Sequence, residues 1–187
     1  MNDAHERFTA LYDQYYPRVL GYALQRADPV SAEDVASETF LVAWRQRAEV
    51  PQPSLPWLLA VARNLLLQQF GQVSRQRRIA DTIRALTSED DLAAWDAGEH
   101  VVARAAALEA LAGLPGDDVE ALTLVSWHGL SAAEAATVVG CTPHAFTGRL
   151  HRARKRLADA LRLADPSAGG APVRLPQPAS QIPTEEI

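Results

Sequence analysis

The chain has 187 residues, a formal net charge of -5, 48% hydrophobic and 22% charged residues, and one cysteine. That leaves room for one medium domain or two small ones with an ordinary core. No apolar run approaches the roughly 20 residues of a membrane helix, the start is polar and acidic rather than signal-like, and Cys141 cannot close an internal disulfide, so a cytoplasmic protein without membrane insertion is expected.

Residues 6–26 place Phe8, Leu11, Tyr12, Tyr15, Val19 and Ala23 at three- and four-residue steps, which predicts an amphipathic helix. "DPVSAEDVASETFLVAWRQR" predicts a second helix. Ser31 is its expected N-cap, with Asp34 three residues on and Glu33 in the first turn, where acids suit the helix dipole. Phe40, Leu41 and Trp44 fall outside the stripe of Val35, Thr39 and Val42, which leaves apolar surface for a partner. The proline-broken "EVPQPSLP" reads as a loop, and "WLLAVARNLLLQQF" as a third helix ending near Gly71. Trp57, at that helix's start, is expected in the core rather than as a stacking platform. The basic "SRQRR" closes this first unit, 6–78.

Residues 79–104 read as a polar, acidic linker, 105–164 as a second helical unit, and the proline-rich 165–187 as a disordered tail with almost nothing to bury. No segment alternates as a strand would, so the expected class is all-α: two small helical domains joined by the linker. Charge is segregated. From Asp81 to Glu120 ten acids face only Arg84 and Arg104, whereas from Thr142 to Leu163 Arg149, Arg152, Arg154, Lys155, Arg156 and Arg162 face only Asp159. Phosphate responds to the field within about 8–10 Å, so an acidic total does not exclude nucleic acid.

The second unit carries a helix-turn-helix pattern. Ser131 and Glu134 form a capping box. Gly140 supplies the left-handed stop, and Thr142 and Pro143 suit the cap and first position of the next helix. On that helix Phe146, Leu150, Ala153, Leu157 and Leu161 share one stripe. Opposite lie His144, Gly148, His151, Arg152 and Lys155, flanked by Arg149, Arg154 and Arg156. A solvated surface helix has the same composition. The capped turn and the small Ala135, Ala136 and Gly140, which allow close packing, favour a recognition helix in the major groove.

Nothing points to catalysis: there is no phosphate-binding Gly-rich loop, no His-Glu-x-x-His and no nucleophile elbow. Cys141, His128, His144 and His151 form the one metal-like set. A single thiolate with histidines on a DNA-facing helix does not make a closed tetrahedral site, so no metal or other cofactor is expected.

"LPGDDVEALTLVSWHGLSAAEAATVVGCTPHAFTGRLHRARKRLADAL" resembles region 4 of extracytoplasmic-function sigma factors, and "AEDVASETFLVAW" with "PWLLAVARNLLL" resembles their region 2. The two ordered blocks cover about Phe8 to Leu161 and are together far more specific than either alone. The resemblance implies a non-catalytic, dissociable subunit of bacterial RNA polymerase that recognises promoters and opens DNA. In that case Asp34, Ser37, Glu38 and Leu41 would dock on the β′ clamp coiled coil, and the second unit would meet the β flap. The loop 48–56 and the helix with Arg63 and Asn64 would take the −10 element, with one base unstacked. Arg75, Arg77 and Arg78 would track phosphates. His144, Thr147, Gly148, His151 and Arg152 would read the −35 element, with Arg149, Arg154 and Lys155 on the backbone.

The resemblance also implies a linker threading toward the RNA exit path, in preference to the other use of an acidic stretch, shielding the basic helix. Control by an anti-sigma partner and control by a tail extension are both implied. Three departures stand out: Gln68 where the family has Asp, Gly71 where it has arginine, and "HAFTG" at 144–148 where it has "Gly-Thr-Val-Lys-Ser". The first two remove expected contacts of the third helix's end to the −10 region; the third points to an atypical −35 sequence, or one read more by shape and phosphate contacts. The alternative function is a stand-alone helix-turn-helix regulator. That role calls for dimer symmetry over paired half-sites and leaves the first unit without a use.

Overall fold

The computed structural model describes residues 2–69 and 107–164, and among them the chain forms seven helices and no strand, an all-α fold. They are α1 (Asn2–Leu24), α2 (Pro29–Arg45), α3 (55–69), α4 (107–112), α5 (Gly116–Ser126), α6 (Ala132–Val139) and α7 (Pro143–Ala164). The expected linker at 79–104, the tail at 165–187, Gly71, and Arg75, Arg77 and Arg78 lie outside the described residues.

Most of the α1 stripe faces inward: Val19 and Ala23 are fully buried and Phe8, Leu11 and Tyr15 pack at the core's edge, whereas Tyr12 is exposed and the buried Tyr22 lies outside the expected stripe. Pro17 sits inside this helix without an N–H to give, so one rung of the ladder is missing while the apolar face carries the chain through.

The start of α2 differs from expectation. Asp28, not Ser31, is the N-cap: its Oδ1 accepts from the Ser31 backbone N–H at 3.1 Å and its Oδ2 from the Ser31 hydroxyl at 2.8 Å. Pro29 takes the first helical position, where its missing N–H costs nothing, and that fixes the cap one residue earlier. An ionised carboxylate is also a stronger acceptor there than a hydroxyl.

The apolar face of α2 differs as well. Phe40 is buried, not surplus, and meets Phe8, Tyr12 and Tyr16 of α1 with ring centroids 6.4, 4.9 and 5.9 Å away. Val42 is only half-buried, and the inward stripe runs through Ala32, Val35, Ala36, Thr39, Phe40 and Ala43. α1 thus covers a wider arc of α2 than a narrow stripe suggests.

Helix α3 starts at residue 55, so Leu55 and Pro56 belong to its buried first turn rather than to the loop. Ser54 donates its hydroxyl to the Pro51 carbonyl at 2.9 Å, which folds the loop back under the helix. Trp57 is half-buried against the core, as its position predicts. Val19, Ala36, Leu58 and Leu66 from the first three helices join Leu124, Val138 and Phe146 from α5–α7 in one continuous core. No described helix is long and apolar enough to cross a membrane.

Candidate nucleic-acid interface

The turn between α6 and α7 is built as its residues dictate. The Glu134 backbone N–H donates to Ser131 Oγ at 3.2 Å, and the Ser131 N–H donates to Glu134 Oε2 at 2.8 Å. Hydrogen bonds from the Ser131 hydroxyl and then its backbone hold the Glu134 carboxyl below its usual range. Gly140 closes α6 in the left-handed region at φ 72°. Thr142 Oγ1 then accepts from the Ala145 N–H at 3.2 Å and opens α7.

The wheel of α7 holds. Phe146, Leu150 and Ala153 are buried and Leu157 and Leu161 half-buried. His144, Thr147, His151, Arg152, Arg154, Lys155 and Arg156 are exposed. The Thr147 hydroxyl donates back to the Pro143 carbonyl at 2.9 Å, so its lone pairs, not its proton, face outward. A Cβ added at Gly148 would meet only the end of the Arg152 side chain, at 3.5 Å, so the gap in the reading face is open to solvent.

Two arginines of this helix are already paired with acids of α5. Arg149 lies 3.9 Å from Asp117, and Arg156 is hydrogen-bonded to the buried Asp118. These acids, with Glu120, end the acidic stretch in the middle of the chain, yet they stand on a helix packed against the basic one. Arg152, Arg154 and Lys155 engage no partner among the described residues. His128 is buried at the other side of the unit, and no group of three or more His, Cys, Asp or Glu among the described residues could hold a metal ion.

On α2, Asp34, Ser37 and Leu41 are exposed and Glu38 half-buried, in the i, i+3, i+4, i+7 pattern of one helix face. Leu41 is 47% exposed and Trp44 37%; Trp44 also packs edge-on to Phe8 at 4.9 Å, with the Arg47 guanidinium 5.2 Å above its ring. A cleft of about 420 Å³ opens beside it, lined by Arg7, Phe8, Leu11, Arg47, Val50 and Gln52. It thus joins α1 to the loop expected to take up a base.

Asn64 and Gln68 on α3 are exposed, but Arg63 is not turned to solvent. Its Nε donates to both oxygens of Glu120, at 3.2 and 3.3 Å, and the side chain is 13% exposed. Burial lowers the Arg63 pKa, and the charge and hydrogen bond of Glu120 more than offset it, so the guanidinium is held in its charged form.

Glu120 gathers more of the first unit. The Tyr22 hydroxyl donates to its Oε1 at 2.6 Å, and Arg26 Nε lies 3.7 Å away as an ion pair without a hydrogen bond. Burial pushes the Tyr22 phenol well up. Arg26 stacks over the Tyr22 ring at 3.7 Å, and Arg18 donates to the His128 carbonyl.

Apart from Arg63, no member of this inter-unit cluster is among the expected site residues. Its one sequence signal is Arg18, Tyr22 and Arg26 at four-residue spacing, the first two on α1 and the third in the turn just after it. Such spacing marks a face that needs a buried acid, without saying which.

Comparison with known proteins supplies the frame for these surfaces. Residues 11–78 match the family model for sigma-70 region 2, and residues 104–157 that for sigma-70 region 4. The chain is 35% identical over 155 residues to the ECF RNA polymerase sigma factor SigF of Caulobacter vibrioides, covering 79% of this chain and 82% of that one. It is 32% identical over 140 residues to the probable RNA polymerase sigma factor RfaY of Xanthomonas campestris pv. campestris; the match takes in 72% of this chain but only 35% of that longer relative. In fold it is similar to the sigma factor RpoE of Bartonella quintana, solved with the anti-sigma factor NepR, with a TM-score of 0.57 and 22% identity over 84% of this chain and 98% of that one.

Proposed function

The chain belongs to the extracytoplasmic-function group of the sigma-70 family, and from that premise we propose that it is an alternative sigma subunit. It binds core bacterial RNA polymerase in the cytoplasm and directs promoter recognition, DNA opening and initiation at a specific set of genes. Phosphodiester chemistry stays with the polymerase, and this chain supplies sequence choice. The observation that carries the reading is the co-occurrence, in order on one chain, of a region 2 unit with an open apolar helix face and a region 4 unit with an open basic one.

In this reading residues 6–78 hold the polymerase and the −10 element, and 105–164 hold the −35 element. The exposed edge of α2 (Asp34, Ser37, Glu38, Leu41) docks on the clamp coiled coil, and the second unit on the β flap. Apolar Leu41 supplies area while the flanking carboxylates set orientation. The cleft beside loop 48–56 receives a base drawn from the stack, recovering in the protein part of the stacking lost in the duplex. Asn64, and Arg63 once released, contact the −10 strand, with Arg75, Arg77 and Arg78 along its phosphates.

On α7, His144, Thr147, Gly148, His151 and Arg152 face the bases of the −35 element. Arg149, Arg154 and Lys155 hold its backbone. With Gly148 offering no side chain and Thr147 no free proton, shape and phosphate contacts carry more of the readout there. An anti-sigma partner of the kind seen on the Bartonella relative is part of this proposal. A stand-alone regulator is the weaker reading, because the region 2 match leaves that role with an unused unit.

The deciding experiment is transcription by purified chain plus core polymerase on genomic DNA, with the RNA ends sequenced. Discrete starts that depend on the chain are expected. Tight duplex binding without core, and no initiation with it, would overturn the proposal.

A further inference from the structure

The cleft between α1 and the end of α2 differs in charge from the rest of these two helices. Arg7 and Arg47 line it together with Phe8, Leu11, Val50 and Gln52, and no acid lines it among the described residues. Elsewhere on α1 and α2, Asp13, Glu33 and Asp34 stand exposed. Its volume of about 420 Å³ lies within the roughly 300–1,000 Å³ of small-ligand sites. Apolar walls, one carboxamide and guanidinium groups around such a space suit a flat, hydrogen-bonding ring that carries an anion. A nucleotide has that chemistry.

Arg47 is held at this cleft without an acid partner among the described residues. Its Nη1 donates to the Trp44 carbonyl at 3.3 Å, and its guanidinium sits 5.2 Å from the centre of the Trp44 ring. His5 and Phe8 brace that ring edge-on, at 6.2 and 4.9 Å. A guanidinium is a planar fork of several N–H donors, so one bond to a carbonyl leaves others for a phosphate. Arg63, Arg149 and Arg156 by contrast each face an acid. A cation placed beforehand loses less freedom on meeting its anion. Gln52, on the loop side of the cleft, brings a donor and an acceptor together, as the edge of a base does.

We propose that Arg47 and Gln52 are contacts to the −10 strand: Arg47 holds a phosphate beside the nucleotide whose base enters the cleft, and Gln52 reads the edge of that base. This rests on base capture in the cleft, as read above, and assigns the two side chains that hold and select the captured nucleotide. The phosphate contact fixes position, and the base contact carries sequence information. Helix α1 then forms one wall of a DNA site.

The test uses holoenzyme assembled from the full chain and core polymerase. Its probe is a labelled single strand with the non-template −10 sequence of a mapped start, intact or abasic at each −10 position in turn. The variants are Arg47→Gln, Arg47→Lys and Gln52→Ala, with circular dichroism to confirm that helix content is retained. In Arg47→Gln the plot of log affinity against log salt should become shallower by about 0.7, the value for one phosphate on a single strand. Arg47→Lys should keep the wild-type slope. Gln52→Ala should bind the intact strand about fivefold or more weakly, the lower end for a good base contact, and the strand abasic at the captured position as wild type does. An unchanged slope in Arg47→Gln would mean that Arg47 only packs on Trp44, and overturns the phosphate contact. Equal losses for Gln52→Ala on intact and abasic strands, or no loss on either, overturn the base contact. A wild-type holoenzyme that binds every abasic strand as well as the intact one overturns base capture itself, and this proposal with it. One that distinguishes them leaves base capture standing whatever the variants do.

Discussion

The imidazole of His128 stands edge-on to the ring of Tyr22, with centroids 5.7 Å apart and planes at 66°, across the seam between the two helical units. Its Nε2 is buried without a hydrogen-bond partner, and Arg18 and Arg26 lie nearby. Burial first, then Arg26 and Arg18, push its pKa down from 6.5 to about 4. The folded chain therefore takes up this proton less readily than the unfolded one. Stability is full above pH 6.5 and is lost as pH falls from there toward about 4, by about 3 kcal/mol once protonation is complete. Urea midpoints measured across that window should fall in the wild type. His128→Phe, which keeps an aromatic ring there, should remove this part of the slope.

Arg152, Arg154 and Lys155 reach solvent without partners among the described residues, and their role is expected to be electrostatic rather than structural. Each substituted by Ala should leave stability within about 0.5 kcal/mol. If the side chain neutralises one phosphate, its removal should make the plot of log affinity for promoter DNA against log salt shallower by about 0.9. Binding by the holoenzyme at several salt concentrations measures it.

Phe40 and Leu41 are sequence neighbours with opposite duties. Phe40 is wrapped by three aromatic rings of α1, and Phe40→Ala should cost about 3–5 kcal/mol, seen as a lower urea midpoint. Leu41 is 47% exposed, and Leu41→Asp should change stability little while weakening core polymerase binding by tenfold or more, or about 1.4 kcal/mol. Equal losses of stability in the two variants would count against the docking face.

Ser131→Ala removes both the hydroxyl that caps α6 and one bond to Glu134. The loss should be about 1 kcal/mol, measured by thermal unfolding. Glu134's carboxyl is depressed in the folded chain, so this contribution is present above its ordinary value of 4.5 and fades as pH falls below it. The variant and wild type should therefore converge in acid.

The helix-turn-helix is legible residue by residue because everything it needs is local. Ser131 and Glu134 are one turn apart, Gly140 alone tolerates φ 72°, and Phe146, Leu150 and Ala153 repeat at helical spacing. The cap of α2 is ambiguous in sequence, because Asp28 and Ser31 are both adequate and it is Pro29 that settles the position. Phe40 falls off the expected stripe because a wheel drawn for one helix does not know how wide an arc its neighbour covers. The Glu120 cluster is beyond reach for a different reason: Tyr22 and Glu120 are separated by 98 positions, and no local pattern encodes which buried cation meets which buried acid.

Helix α5 presents three carboxylates to arginines that a phosphate would otherwise attract: Asp117 to Arg149, Asp118 to Arg156 and Glu120 to Arg63. Under the proposed sigma-subunit reading, that edge would compete with the phosphodiester backbone for these arginines. On that reading, arginines that reached promoter DNA would exchange one anion for another instead of shedding hydration and finding a first partner. Their net gain is the difference between two ion pairs. The competition would then penalise loose, nonspecific duplex more than a cognate site, where base contacts would supply the remainder. Discrimination would in that case be set partly by acids that never touch DNA.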